Sequence, residues 1–465
     1  LGIALGVSIL IIVMSVMNGF KTDLTNKILG LNPHIVIQSN GFRSVDDNEI
    51  AENTTVNGVY YEKGSFSYKK LQNLVSLNVL GNYNLYDGPH TLASADTISS
   101  INYSVTEVAI PTNLGGKSNL TSYTATDNRN SVNQLVDNST GQYLFDGCVS
   151  LDSLNFYSTN LGLINFPTNF GNPSLTTLDL RYTSMLGGKP TVAPGAQEYV
   201  IYAETFKDAT ALTNLYIDSD FLGAGFASGK NRIHPDAFLF NPKLYYIWYR
   251  SHGKTTGNIT QLFSSNPNLQ YVWMQNNAFT GTIPNFVANP NIHYVNLQYN
   301  QLSGTIPGFK NLNNLRYLYF QNNNLTAIGE PESLPNLYTY QAPNNQLTGQ
   351  IPDFSGCTNL RSLTLRNNLL TSYKVGAFAK LYRMNFIDLK FNNLTQTDLD
   401  NILVDLVDNW TSINRGGVSI NLKNQTNSSG VLIFPSAVGY AAARTLVSKG
   451  WSIGLSGGIP PEPTE

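Results

Sequence analysis

The sequence predicts an α/β solenoid, a stack of short parallel strands each followed by a return segment. Three observations carry that prediction. The pattern L-x-x-L-x-L-x-x-N-x-L recurs from Leu269 onward at a nearly constant interval. The asparagines of successive units fall in one column. A chain of 465 residues is also too long for one simple core, and suits either several domains or a repeat array.

The clearest units are PNLQYVWMQNNAFTGTIP, PNIHYVNLQYNQLSGTIP, NNLRYLYFQNNNLTAIG, PNLYTYQAPNNQLTGQIP and TNLRSLTLRNNLLTS. Their opening positions, with one further unit, are Leu269, Ile292, Leu315, Leu337, Leu360 and Met384, spaced 23, 23, 22, 23 and 24 residues. Upstream the same frame fits Leu151, Leu175, Leu212 and Leu244 with longer connections, and fits Leu74, Ile98 and Leu120 weakly. The pattern resembles the leucine-rich-repeat family with the G-x-I-P extension. That resemblance implies a horseshoe with the parallel sheet on its concave face.

No single unit can bury its apolar side alone, so stacking neighbours must supply a continuous leucine core. Asn277, Asn300, Asn323, Asn345, Asn368 and Asn392 are expected to turn inward where each strand ends. There they satisfy backbone groups of the bend that would otherwise be buried without partners. Tripeptides such as Asn324-Leu325-Thr326 arise from the same consensus and are poor glycosylation signals.

The array needs a C-terminal cover. TQTDLDNILVDLVDNW has helical periodicity, GGVSINLKN reads as one more strand, and PSAVGYAAARTLVSKGW reads as a helix opening on Pro435 and stopping at Gly450. The expected layout is repeats over 74–400, a helical cap over 401–456 and a mobile tail over 457–465. Residues 21–73 read as linker or an atypical first cap.

Residues 1–17, LGIALGVSILIIVMSVM, carry no charge. At ~1.5 Å per residue they form a helix of about 25 Å, a little short of the hydrocarbon core. One transmembrane helix over 1–20 is expected, truncated at its start because the chain opens on Leu1. A signal peptide and a buried helix are the other readings, although no basic n-region and no A-x-A-like site accompany the stretch. LGIALGVSILIIVMSVMNGF and KILGLNPH at 27–34 resemble the first membrane segment of lipoprotein-releasing (Lol-type) ABC transporter permeases. This likeness spans about residues 1–42 and implies that the chain beyond the helix faces the periplasm. No later run of 18 apolar residues exists, so a working transporter subunit is not expected.

Charged residues make up only 12% of the chain and the net charge is -2. Counterion release has little to act on, so no nucleic-acid partner is expected. Cys148 and Cys357 share the local frame Gly-Cys-x-x-Leu, eight repeat steps apart. At ~4.8 Å per strand that separates the thiols by roughly 38 Å, too far for a disulfide. The histidines His34, His90, His234, His252 and His293 show no metal-ligand spacing, and no metal or cofactor is expected.

Side chains alternate along a strand, so residues between the motif leucines point outward. The third positions read Tyr246, Tyr271, Tyr294 and Tyr317. The fifth read Tyr216, Trp248, Trp273, Asn296 and Tyr319, and the seventh read Arg250, Gln275, Gln298 and Gln321. Two aromatic columns beside an amide column are therefore expected on the exposed sheet face. Cross-strand stacking alone accounts for such columns at ~0.2–1 kcal/mol per pair. Placing two tryptophans toward solvent beside two-sided amides suits a neutral ligand, a surface glycan or a protein.

Catalytic motifs fail on inspection. GGKS at 115–118 has Pro111 where a P-loop needs glycine, and before Gly229-Lys230 the corresponding position is Ala224. Gly454-Leu455-Ser456-Gly457-Gly458 fits G-x-S-x-G, but no histidine comes after it. Asp46-Asp47-Asn48-Glu49 lacks the glycine of a calcium loop. The expectation is a non-enzymatic binding or adhesion protein. Its tyrosine-rich, low-charge style resembles repeat proteins of marine bacteria and their phages. That implies adhesion at the cell envelope or surface, where residues 1–20 would be the membrane anchor, or else a secreted protein or a virion tail or receptor-binding component. A second expectation is an envelope component related to the permease, with the solenoid in the periplasm and residues 1–20 in the membrane.

Overall fold

The computed structural model describes residues 34–38, 52–56, 59–62, 65–66, 76–80, 98–104, 114–126, 135, 143–159, 169–183, 199–218, 231–250, 255–331, 333–410 and 417–461. The apolar segment 1–20 and most of 21–73 lie outside them. Among the described residues no helix is long and apolar enough to cross a membrane. The chain divides into two compact units, residues 1–163 with 170–186, and residues 164–169 with 187–465.

In the first unit the strands His34–Gln38, Ser76–Leu80, Ser100–Ser104, Ser122–Thr124, Ser153–Asn155 and Thr177–Arg181 come one after another in space. Every pairing between them is parallel. Strand His34–Gln38 falls inside the stretch expected as linker or cap. Its register, His34 opposite Ser76, puts Asn32 at the opening position, so no leucine announced it. A small antiparallel sheet of Glu52–Val56, Val59–Glu62 and Ser65–Phe66 lies in the same stretch.

In the second unit the parallel order runs Asn214–Asp218, Tyr246–Arg250, Tyr271–Trp273, Tyr294–Asn296, Tyr317–Tyr319, Thr339–Gln341, Ser362–Thr364, Phe386–Asp388, Ser419–Asn421 and Ser452–Gly454. The motif leucines form the core: Leu269, Ile292, Leu315, Leu337 and Leu360 are all at 0% exposure. On the return segments Phe206, Phe238, Phe263, Phe286 and Phe309 make a second spine, with successive ring centroids 6.1, 6.2, 6.0 and 6.4 Å apart.

The asparagine column stitches each bend to the one before it. Asn323 Nδ2 donates to Leu297 O and Phe320 O at 3.0 and 3.1 Å, while its Oδ1 accepts from Leu302 N–H at 3.0 Å. Asn300, Asn345, Asn368 and Asn392 repeat the arrangement. Asn277 Nδ2 likewise reaches Tyr249 O and Met274 O. Gln425 takes over at the last bend, donating to Leu389 O and accepting from Leu394 N–H. The residue just before the column is held at positive φ, between 54° and 58°, at Asn276, Tyr299, Asn322, Asn344, Asn367, Phe391 and Asn424. Asparagine tolerates that conformation better than most residues, which explains the repeated Asn-Asn doublets.

A second asparagine ladder runs behind the sheet. Asn241, Asn266 and Asn289 are each at most 1% exposed. Asn266 Nδ2 donates to Phe238 O and Asn241 O at 2.9 and 2.8 Å, and Asn289 Nδ2 to Phe263 O and Asn266 O at 3.0 and 2.7 Å. Cys148 and Cys357 occupy the same slot in their own repeats, three residues before the opening leucine. Both are buried free thiols, and Cys148 Sγ donates to Leu114 O at 3.1 Å. Burial pushes the Cys148 thiol up to about 11 and the Cys357 thiol up to about 12. The native protein at about pH 8 is therefore expected to leave Ellman's reagent unreacted until denaturant exposes both thiols. Prompt reaction of either thiol in the native state would contradict this burial.

Two helices close the second unit: α1, Gln396–Trp410, and α2, Ala437–Ser448. Thr395 and Asp398 form a reciprocal cap on α1, with Thr395 N–H donating to Asp398 Oδ2 and Asp398 N–H to Thr395 Oγ1. Ser436 caps α2 by accepting from Val438 N–H, so α2 begins two residues after Pro435. Strand Ser452–Gly454 adds a last rung, in which Ser456 Oγ accepts from Asn424 N–H at 2.7 Å. The serine of the G-x-S-x-G match is thus hydrogen-bonded into the end of the sheet.

Candidate functional site

The parallel register lines up the outward residues of the second unit. Tyr246, Tyr271, Tyr294, Tyr317 and Thr339 stand opposite one another in turn, as do Tyr216, Trp248, Trp273, Asn296, Tyr319 and Gln341. Neighbouring strands lie ~4.8 Å apart, so rings in one column must meet. Trp248 and Trp273 are stacked with centroids 5.2 Å apart, and Trp273 stacks on Tyr294 at 4.1 Å and 15°. Tyr294 continues to Tyr317 and Tyr319 at 5.7 and 5.4 Å, while Tyr216, Tyr246 and Tyr271 form a tilted run at 5.0 and 5.8 Å.

Tyr216, Tyr246, Trp248, Arg250, Tyr271, Trp273, Tyr294, Gln298, Tyr317, Tyr319 and Gln321 are all half-buried on this face. Gln275 differs. Like Asn296 of the fifth column at 4% exposure, it is buried, at 7%, rather than displayed, and it lies between the long side chains of Arg250 and Gln298 on the adjoining rungs. Its Oε1 and the indole N–H groups of Trp248 and Trp273 are enclosed without hydrogen-bond partners. Gln321 Nε2 donates to Gln298 Oε1, so those amides bond along their column. Arg250 is not a free cation: its Nε lies 3.2 Å from Oδ1 of Asp218, whose side chain is fully buried. Burial raises the Tyr294 hydroxyl well above the usual phenol range, reinforced by repulsion from Tyr319, and burial raises Tyr319 too. Both rings therefore stay neutral through the physiological range.

The second positions of the repeat extend the face beyond the columns read from sequence. Tyr245 and His293 flank Tyr271 at 5.4 and 6.0 Å, Tyr338 meets Tyr317 at 5.6 Å, and the Arg361 guanidinium lies 4.8 Å from the Tyr338 ring centroid. The repeat frame carried this signal, since those positions read Tyr245, Gln270, His293, Arg316, Tyr338 and Arg361. In the first unit the equivalent columns hold Ser122, Ser153 and Thr177, and Thr124, Asn155 and Asp179. Among the described residues no three His, Cys, Asp or Glu side chains converge to hold a metal.

Residues 268–290 and 314–337 match the Leucine Rich Repeat family model. The fold is a leucine-rich-repeat solenoid. It is similar to a leucine-rich-repeat protein of Leptospira interrogans, with TM-score 0.50 and 20% identity over 92% of this chain and 97% of that one. It is also similar to the leucine-rich-repeat ectodomain of the Arabidopsis receptor kinase HAESA bound to an N-terminally extended IDA peptide hormone, with TM-score 0.50 and 19% identity over 77% of this chain and 59% of that one. HAESA with IDA and a co-receptor gives TM-score 0.52 and 18% identity, over 85% of this chain and 64% of that one. The chain thus spans about three fifths of the plant ectodomains it matches. No curated protein sequence matches it. In leucine-rich-repeat terms, the aromatic columns occupy the outward positions of consecutive repeats, between core leucines that fix their spacing.

Proposed function

We propose that this leucine-rich-repeat protein is a non-enzymatic binding protein, and that its ligand is a protein segment docking on the aromatic sheet face of the second unit. The observation that carries this reading is the stacking of Trp273, whose two ring faces are covered by Trp248 and Tyr294. A sugar stacks on an open ring face, and the central ring of the column has none to give. What the column offers instead is ring edges and tyrosine hydroxyls, flanked by amides. Rigid amphipathic rings with adaptable polar neighbours suit contact with a polypeptide. Low overall charge argues against a partner recruited by long-range electrostatics. The plant ectodomains of like fold hold peptide hormones, which agrees with a protein ligand. In this reading the solenoid stands at the cell envelope or surface, with residues 1–20 as its membrane anchor. Digestion by protease added to intact cells checks that location.

Selection of a displayed random-peptide library on the full chain tests the site. Enriched peptides are expected to lose binding to the double variant Trp248→Ala with Trp273→Ala, while circular dichroism of the variant stays that of the parent. Peptides that bind parent and double variant alike would reduce the aromatic face to scaffold.

A further inference from the structure

On another side of the same unit, the turns that come after the asparagine column leave a cleft of about 540 Å³. Three successive repeats line it. Thr260 and Gln261 come from the first, Thr282, Ile283 and Asn285 from the second, and Gly304, Thr305 and Pro307 from the third. Its volume is in the range of small-ligand sites. No charged side chain is among the lining residues.

The lining separates into a fixed part and an open part. Thr260 Oγ1 accepts from Thr282 N–H at 3.0 Å and lies 3.2 Å from Thr282 Oγ1, which locks two rungs together. Asn285 Oδ1 accepts from Val287 N–H at 3.1 Å, which orients its Nδ2 amide. The exposed side chains of Gln261 and Thr305 make no hydrogen bond within the described residues. Ile283, at 3% exposure, and Pro307 supply an apolar floor. Gly304 keeps the cleft open. It sits at φ +78°, and a Cβ there would come within 3.1 Å of Thr282 Cγ2.

We propose that this cleft binds a neutral, linear oligosaccharide. Hydroxyls and amides that both donate and accept, with no charge, match the alternating donors and acceptors of sugar hydroxyls. The rungs advance by ~4.8 Å, close to the length of one extended pyranose unit, so each repeat meets one sugar. This assigns the glycan to the turn side of the solenoid, away from the aromatic face, and it stands or falls independently of the peptide reading.

Isothermal titration of the full chain with cellohexaose and fully N-acetylated chitohexaose, and with the curled maltohexaose as control, tests the assignment. At least one extended chain is expected to bind saturably. Gln261→Ala combined with Thr305→Val should weaken that binding at least about tenfold, and these side chains have no internal bonds to lose. Trp248→Ala with Trp273→Ala should leave it unchanged. No saturation by either extended chain up to about 10 mM, equal binding of maltohexaose, or undiminished binding by the cleft variant overturns the proposal. Loss of sugar binding in the tryptophan variant overturns it as well, by returning the glycan to the sheet face.

Discussion

Asn323→Leu is expected to lower the unfolding free energy by about 3 kcal/mol. The side chains are similar in size, so the effect isolates hydrogen bonding. Two of the bonds lost are shared. Leu297 O also accepts from Asn300 Nδ2, and Phe320 O also accepts from Asn345 Nδ2, so neither carbonyl is stranded. Leu302 N–H is different, since Asn323 Oδ1 is its acceptor and Leu302 is fully buried. An orphaned buried N–H costs about 1–3 kcal/mol, and each lost bond adds about 1 kcal/mol. Because repeats contact only their neighbours, the loss should also uncouple the rungs on either side and broaden the urea transition. The control is the adjacent left-handed column. Asn367→Gly keeps φ near 54° at little conformational cost, and should change stability by less than about 1 kcal/mol. If Asn323→Leu costs no more than Asn367→Gly in urea denaturation, the column is ornamental.

Trp273→Ala should weaken binding of a peptide selected on the sheet face by about a hundredfold, the scale of a central aromatic hot spot. Trp273 is the middle ring of the stack, so its loss also frees Trp248 and Tyr294 to reorient. Gln341→Ala, at the end of the same column, should change affinity by less than about threefold. Fluorescence anisotropy of the labelled peptide separates these outcomes. Similar losses at the two positions would mean that binding energy is spread along the face instead of centred on the stack.

Sequence periodicity made most of the second unit legible because each rung from Leu212 to Met384 opens on a large apolar residue. The frame placed Leu212, Leu244 and Leu269 in the core, and all three are fully buried. Among strands whose opening position is not apolar, Ser419–Asn421, with Gly417 there, was still legible from GGVSINLKN, but two others escaped notice. Ser452–Gly454 has Gly450 there, and His34–Gln38 has Asn32. The rear ladder was visible as Asn-Pro-x-Leu or Asn-Pro-x-Ile, at Asn241, Asn266 and Asn289, but a polar residue before a proline reads first as a turn. Outward pointing was legible from the alternation of the strand. The burial of Gln275 was not, because it depends on what the neighbouring rungs carry. Ring orientation was equally hidden: the columns arise from spacing, whereas the face-to-face seating of Trp273 arises from side-chain packing in three strands at once.

Each asparagine side chain of the front column bonds to its own bend and the bend before it, and the backbone N–H groups of Asn277, Asn300 and Asn368 reach the bend after. For the gene, this makes the number of rungs a free variable. Unequal recombination between the codons of PNLQYVWMQNN and those of PNIHYVNLQYN would add or delete one rung in register, and the new junction would find the same carbonyls and N–H groups waiting. The aromatic strip would lengthen or shorten with it. Affinity and reach could then change between generations in whole-rung steps, without any new packing solution having to be found.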